Sequence, residues 1–240
     1  CFEKLREAGL KVNIKKCNFG VTEVKYLGYI ITREGIKPDP KKIQAIVDLA
    51  RPTTVTDMKG FLGMVQFYRD MWQGRSHMLH PLIEACKVGK GKTPIQWSTD
   101  LNNSFEDVKR AISKETLLSY PDWNKKFTIH TDSSDYQLGA VISQNGKPIA
   151  FFSRRLTAAQ KNYTTTEKEL LAIVECLKQY RNILQGYPIE VFTDHKNLMY
   201  TGTLSESQRV MRWRMILEEF GPTIHHLAGA DNVVADASVP

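Results

Sequence analysis

The sequence lacks any long apolar run. No stretch of about 18 or more uncharged apolar residues occurs in its 240 residues, although a membrane-spanning helix needs a run of that length. The N-terminal residues also lack the short apolar segment of a secretory signal. These absences exclude a helical membrane anchor from the sequence, and we expect no membrane partner.

Cysteine is scarce and scattered. The four cysteines, at positions 1, 17, 86 and 176, form no Cys-x-x-Cys pair, so the pattern favours neither a zinc site nor a disulfide framework. Reduced thiols are typical of proteins inside the cell. We therefore expect an intracellular location.

Excess positive charge is confined to the first half of the chain. The net charge is +7, from 33 Lys and Arg against 26 Asp and Glu. Residues 1–120 hold 20 of the basic and 13 of the acidic residues, which leaves 13 of each for residues 121–240. A basic half beside a neutral half is compatible with a protein that binds phosphates at one end. It is equally compatible with a lysine-rich solvated surface.

The first half predicts one hairpin and several helices. Apolar residues alternate at strand spacing around Gly28, and a turn follows at Glu34-Gly35. After Pro52, the spacing of apolar residues predicts a Thr-capped helix. Its expected buried face consists of Met58, Phe61, Leu62, Val65 and Tyr68.

Four acidic residues in the second half stand at the edges of predicted strands and helices. They are Asp132 after strand 127–131, Glu169 near the start of helix 165–184, Asp194 after strand 189–193, and Asp236 in a segment of small and apolar residues. Converging carboxylates repel one another unless divalent cations neutralise them, and Mg²⁺ prefers such oxygen ligands together with phosphate oxygens. Two ions about 4 Å apart activate a water and stabilise the leaving oxygen in phosphodiester hydrolysis. The pattern therefore predicts a two-metal nuclease.

The same region resembles a known family. The segments TDSSDYQLGAVIS, PIAFFSRRL, NYTTTEKELLAIVECLKQYR, VFTDHKNL and NVVADA are similar, in order, to the ribonuclease H domain in the Pol polyprotein of gypsy-type long-terminal-repeat retrotransposons. The resemblance places the family's four metal-binding acids on Asp132, Glu169, Asp194 and Asp236. Glu167 is not among them.

The resemblance implies an α/β fold in which a ribonuclease H-like mixed sheet is flanked by helices and follows a β-hairpin and a mainly helical region. Residues 1–38 would be the end of the reverse transcriptase palm with its primer-grip hairpin, and residues 39–88 the thumb. Residues 89–122 would be the connection, and residues 123–240 a C-terminally truncated ribonuclease H domain. No Tyr-x-Asp-Asp motif occurs, so we expect no polymerase active site in this chain.

The activity implied is Mg²⁺-dependent endonucleolytic cleavage of the RNA strand of RNA·DNA hybrids, with two ions and with Mn²⁺ as a substitute. Expected partners are the hybrid and the fingers and palm of the parent polyprotein. By the same resemblance, the location would be a cytoplasmic virus-like particle. The sequence assigns no oligomeric state.

Histidines and one serine near these acids add further expectations. His226 stands ten residues before Asp236, which matches a mobile catalytic histidine of retroviral ribonucleases H, and a proton-transfer role is proposed for it. His225 and His195 are alternatives. Ser133 replaces a small apolar residue that is common in relatives, and little effect is expected from it.

Three alternatives remain open from the sequence. Thr166 and Glu169 have the spacing of a capping box, so Glu169 could simply cap its helix. The chain could be a nucleic-acid-binding thumb and connection fragment with weak or no nuclease activity. It could also be a DNA-cutting relative of the same architecture, such as a transposase core.

Overall fold

The structure is a computed structural model that describes residues 2–114, 116–199 and 207–227. Its α-helices are α1 (Phe2–Glu7), α2 (Pro40–Val47), α3 (Val55–Phe67), α4 (Arg75–Ala85), α5 (Thr99–Ser113), α6 (Ala158–Lys161), α7 (Thr165–Gln179), α8 (Arg181–Leu184) and α9 (Gln208–Phe220). Its strands are β1 (Val24–Tyr26), β2 (Tyr29–Ile31), β3 (Gly35–Pro38), β4 (Leu118–Ser119), β5 (Phe127–Ser133), β6 (Gln137–Gln144), β7 (Lys147–Arg155), β8 (Ile189–Thr193) and β9 (Thr223–His226). Within these described ranges, no helix is both long enough and apolar enough to cross a membrane.

The first sheet contains the predicted hairpin as β2 and β3, which are joined by residues 32–34 beside the expected Glu34-Gly35 turn, whereas the strand predicted around Gly28 is interrupted there by a second turn. Strands β1 to β4 lie in chain order and are antiparallel. The tight turn between β1 and β2 is formed by Leu27 and Gly28, both with positive φ (48° and 85°), as a two-residue hairpin turn requires. The carbonyl of Gly28 accepts a hydrogen bond from the Tyr68 hydroxyl at 3.0 Å, which ties this turn to the helices.

Helices α2 to α5 form a hydrophobic cluster beside this sheet. Thr54 caps α3 through a reciprocal bond with Asp57. The predicted face of α3 is confirmed, because all five of its residues are buried. Phe61 packs against Phe105 of α5 with ring centroids 4.7 Å apart.

The second sheet has the strand order β7-β6-β5-β8-β9. Strands β7, β6 and β5 are antiparallel neighbours, whereas β5 pairs with β8, and β8 with β9, in parallel. Helix α7 packs on one face of this sheet, where Leu138, Ala140 and Ile142 of β6 are fully buried among its apolar residues. The helix predicted over 165–184 is broken at Tyr180 into α7 and α8.

The opposite face of the second sheet packs against the helical region. Val141 and Phe151 belong to the same hydrophobic cluster as the residues of α3 to α5. At the edge of that contact, the Arg75 guanidinium donates to the Ser153 carbonyl at 2.8 Å, and the Ser76 N–H donates to the Ser153 hydroxyl at 3.0 Å. The N-terminus of α4 is therefore fixed to strand β7.

Candidate active site

Two of the predicted acids lie at the same edge of the second sheet. Strands β5 and β8 are parallel, and their register pairs His130 with Phe192. Continuing this register by two residues sets Asp132, the penultimate residue of β5, beside Asp194, which directly follows β8. Asp132 is half-buried and Asp194 is exposed. Carboxyl ends of neighbouring parallel strands are a usual position for ligand sites in open sheets.

The third acid, Glu169, points to this edge from α7 and does not cap its helix. The expected capping box of Thr166 and Glu169 is wrong, because α7 begins two residues earlier than that pairing requires. The actual box joins Thr164 and Glu167, with the Thr164 side chain accepting from the Glu167 N–H and the Glu167 carboxylate accepting from the Thr164 N–H. Glu167 also pairs with Arg209 at 3.2 Å. Glu169 is thereby free for another role.

Glu169 is held by Ser133 instead. Its Oε1 accepts hydrogen bonds from the Ser133 hydroxyl at 2.6 Å and from the Ser133 backbone N–H at 3.1 Å. The expectation that Ser133 has little effect is at odds with the hydroxyl bond, which a small apolar residue could not make. No pattern in the sequence marks this contact, because it joins residues 36 positions apart.

Burial is the main influence on the Glu169 carboxyl, which is only 2% exposed. Desolvation raises its pKa to about 8; the Ser133 hydroxyl opposes this shift, and the charges of Asp194 and Asp132 add to it. The three acids are therefore close enough to interact electrostatically. An ion pair partner or a bound cation would reverse the shift.

The acidic side chains of the site meet only some of the requirements of a divalent cation. Glu169 Oε2 is buried and has no hydrogen-bond partner among the described residues, which leaves one carboxylate oxygen unsatisfied at the centre of the site. A hard cation such as Mg²⁺ takes carboxylate oxygens of this kind. However, within the described ranges no three His, Cys, Asp or Glu side chains are gathered closely enough to hold a metal. Asp236, the predicted fourth ligand, lies outside the described residues.

Two histidines contact the same edge. Strand β9 pairs with β8 so that His226 lies opposite Thr193, and its Nε2 donates to the Asp194 carbonyl at 3.1 Å. The ring of His195, beside Asp194, is 2.8 Å from the Thr166 hydroxyl through Nε2. Both side chains therefore brace the segment that carries Asp194.

His225 does not join them. Its ring stacks on Phe192 with centroids 5.0 Å apart, and His130 stacks on the same Phe192 at 5.1 Å. These three rings lie across β5, β8 and β9, and His225 has Glu190 3.8 Å away. The contacts of His225 are those of a packing residue.

The comparisons with known proteins agree with this architecture. Residues 122–220 match the family model of the RNase H-like domain found in reverse transcriptase. This part of the chain, which contains the second sheet up to β8, is therefore similar to the RNase H-like domain found in reverse transcriptase.

The relatives extend the match to nearly the whole chain. It is 39% identical over 237 residues to the retrovirus-related Pol polyprotein from transposon 297 of Drosophila melanogaster. It is 33% identical over 244 residues to the corresponding polyprotein from transposon gypsy of the same organism. The matches cover 98% and 97% of this chain, and the chain spans only 22% and 24% of those polyproteins. The predicted resemblance to gypsy-type retrotransposon Pol polyproteins is confirmed.

Solved structures match the fold in the same way. The foamy viral protease-reverse transcriptase dRH in complex with double-stranded DNA has a TM-score of 0.82 and 25% identity, with 94% of this chain and 41% of that one covered. The same kind of protein in complex with RNA/DNA hybrid has a TM-score of 0.82 at 24% identity, with 95% and 32% covered. The predicted fold class is confirmed.

Proposed function

We propose that this chain is an endoribonuclease that hydrolyses the RNA strand of RNA·DNA hybrids and leaves 3′-hydroxyl and 5′-phosphate ends. The observation that carries the proposal is the state of Glu169. A buried carboxyl with one unsatisfied oxygen, within electrostatic reach of Asp132 and Asp194, is costly unless the site binds a ligand that uses it. Such costs are characteristic of functional sites.

The residues proposed to hold two Mg²⁺ ions, or Mn²⁺ in their place, are Asp132, Glu169, Asp194 and Asp236. When bound, the ions would supply an activated water and charge stabilisation at the leaving oxygen. The all-oxygen donor set and the unpartnered Oε2 of Glu169 support a hard cation over a soft one.

The chain's own residues have distinct tasks in this proposal. Ser133 fixes one oxygen of Glu169, so that the carboxylate presents the other towards the sheet edge. His226 holds the main chain at Asp194 through its Nε2. A proton-transfer role for the Nε2 of His226 near the leaving group requires this nitrogen to release that carbonyl, because a nitrogen that donates to a fixed carbonyl cannot exchange its proton with substrate.

The proposed substrate agrees with what related structures bind. Foamy viral protease-reverse transcriptase is known in complex with RNA/DNA hybrid and with double-stranded DNA. We propose that residues 39–88 and 89–122, as thumb and connection, hold the hybrid mainly through its phosphates. The 2′-hydroxyl would select the RNA strand, since this group distinguishes RNA from DNA at a given position.

The test is cleavage of an end-labelled RNA·DNA hybrid with Mg²⁺, with Mn²⁺ and with EDTA, beside duplex DNA and duplex RNA. The proposal expects metal-dependent cuts in the RNA strand of the hybrid alone. Cleavage of duplex DNA in preference to the hybrid would favour a transposase-like activity and contradict it.

A binding module is the second candidate. It is favoured by the lack, within the described ranges, of a ready-made group of three or more metal-binding side chains. This candidate predicts that the chain binds the hybrid tightly and leaves it intact at every metal concentration and at high protein concentration.

A further inference from the structure

A cavity of about 310 Å³ lies between helix α4 and the second sheet, on the face of the sheet opposite to α7. Its walls come from four elements, of which α4 is distant in sequence from the others: His77 and His80 of α4, Gln137 of β6, Arg155 of β7 and Lys161 of α6. The bonds from Arg75 and Ser76 to Ser153 hold α4 against β7 beside it. The cavity is therefore a built feature of the contact between the helical region and the sheet.

The floor of this cavity is a polar side chain without a partner. Gln137 is 2% exposed, and neither its Nε2 nor its Oε1 has a hydrogen-bond partner among the described residues. An unsatisfied buried amide costs on the order of 1 to 3 kcal/mol. Because Gln137 also lines the cavity, a ligand with hydrogen-bonding oxygens bound there could satisfy this amide.

The rim of the cavity is cationic. Arg155 of β7 lies directly opposite Gln137 of β6 in the strand register. Lys161 lies over the ring of Tyr136, with Nζ 5.2 Å from the ring centroid. His77 is exposed and His80 is half-buried. One acid opposes them: Glu84 contacts Arg155 at 3.4 Å and His80 at 3.5 Å, and it also pairs with Lys87. Lys161 forms no ion pair within the described ranges.

The cavity opens close to the catalytic edge. Ser133, which binds Glu169, is paired across the sheet with Leu138, the neighbour of Gln137. The Ser134 N–H also donates to the Gln137 carbonyl at 2.9 Å. Directly opposed residues of an antiparallel pair are about 5 Å apart, and a nucleic-acid strand advances about 3.4 Å per nucleotide. The cavity is therefore within a few nucleotides' length of a strand bound at the catalytic edge.

We propose that this cavity is a second, non-catalytic site that binds a backbone phosphodiester of the nucleic acid, with Lys161 and Arg155 neutralising its charge and the Gln137 amide donating to a phosphate oxygen. The proposal rests on the proposed function, because it assumes a nucleic-acid substrate. Arg, Lys and amide side chains are the usual phosphate ligands in protein–nucleic acid contacts. A site of this kind fixes the register of the strand and does not read its sequence.

The test is equilibrium binding of a fluorescein-labelled RNA·DNA hybrid to the whole chain, measured by anisotropy in EDTA over a series of salt concentrations. For Lys161→Gln we expect affinity to fall about 3- to 10-fold near 0.1 M salt and the slope of log affinity against log salt to decrease by about one. The matched control is Lys147→Gln, which removes an exposed lysine at the other end of β7. It should leave affinity and slope within error of the wild type.

Gln137→Leu tests the amide without a change in charge. We expect affinity to fall about 2- to 10-fold, as for loss of one hydrogen bond, with the salt slope unchanged and thermal stability equal to or above that of the wild type. Hybrid affinity and slope equal to the wild type in both Lys161→Gln and Gln137→Leu would overturn the proposal. Calorimetric titration with inorganic phosphate separates the two sources of the anion: tight phosphate binding that both variants weaken, with hybrid affinity unaffected, would assign the cavity to free phosphate and also overturn it.

This readout is independent of catalysis because no metal is present. A chain that responds as expected and never cuts the hybrid would keep the second site and refute the proposed nuclease. A chain that cuts the hybrid while both variants bind like the wild type would keep the nuclease and refute the second site.

Discussion

Ser133 donates two hydrogen bonds to the same oxygen of Glu169, one from its hydroxyl at 2.6 Å and one from its backbone N–H at 3.1 Å. The strand that carries Asp132 is thereby linked to the helix that carries Glu169. Oε2 of Glu169 is left without a hydrogen-bond partner among the residues that the structure describes. Much of the behaviour expected of the site follows from this contact.

Replacing Ser133 with alanine removes the hydroxyl bond and keeps the backbone bond. A hydrogen bond to a charged group contributes about 1.5 to 3 kcal/mol, so Ser133→Ala should raise the pKa of Glu169 further and weaken its hold on a cation. We expect a higher Mg²⁺ concentration for half-maximal cleavage, by about tenfold. Ser113→Ala, at an exposed helix end, is the control. An unchanged Mg²⁺ dependence in Ser133→Ala would argue against this role.

The stability of the metal-free chain should depend on the protonation of Glu169. Its pKa is raised from 4.5 to about 8 by burial, with the charges of Asp194 and Asp132 adding to the shift. The folded state therefore keeps a proton that the unfolded state releases above pH 4.5, and stability is lost as pH rises towards 8. At about 1.4 kcal/mol per pKa unit, the free energy of unfolding should fall by up to about 4 to 5 kcal/mol across this window.

Urea unfolding in EDTA at a series of pH values measures this loss. Glu169→Gln should abolish most of the pH dependence between 4.5 and 8, because the amide does not titrate. Glu106→Gln, which changes an exposed glutamate on α5, should retain it. A wild-type chain whose stability rises with pH in that window would contradict the assignment.

The capping role of Thr164 and Glu167 should be separable from the proposed catalytic role of Glu169. Thr164→Ala removes an N-cap, which costs about 1 kcal/mol and lowers the melting temperature by about 2 to 4 °C for a chain of this size. Cleavage well below that temperature should stay near the wild-type rate. A large loss of activity in Thr164→Ala without unfolding would show that the cap and the site are coupled.

The role of His226, either positioning Asp194 or transferring protons, can be assigned by comparing two substitutions. If it positions Asp194 through its bond to the carbonyl, His226→Gln should retain most of the rate, because the amide can donate the same bond. His226→Ala should lose about tenfold, the cost of about one hydrogen bond. If His226 transfers protons, both variants should lose about 10²- to 10⁴-fold. The pH profile of single-turnover cleavage separates the two results.

Much of the fold could be predicted from the regular spacing of apolar residues in the sequence. The strand over 127–131 and the buried face of α3 were predictable because the spacing of apolar side chains indicates which of them are buried. The cap of α7 was assigned to the wrong pair, since Thr164, Thr165 and Thr166 are equivalent candidates by residue type. Only the backbone geometry decides among them, and it selects Thr164.

The site was less accessible to sequence reasoning. Acids at strand ends pointed to one edge, and the resemblance supplied their order, but neither revealed that Ser133 holds Glu169. The cavity around Gln137 was equally hidden, because its walls come from α4, β6, β7 and α6. Contacts between distant segments depend on packing, for which a single sequence has no periodic signal.

The carboxylates at one edge of the second sheet are proposed to bind divalent ions that cleave the RNA strand of an RNA·DNA hybrid. The most direct measurement is the rate of hybrid cleavage with Mg²⁺ by Asp132→Asn, beside Asp135→Asn, an exposed acid three positions away that pairs with Lys168. Loss of about 4 kcal/mol of transition-state stabilisation predicts a fall of ~10³-fold for Asp132→Asn and little change for Asp135→Asn. Cleavage by Asp132→Asn at the wild-type rate would contradict the account.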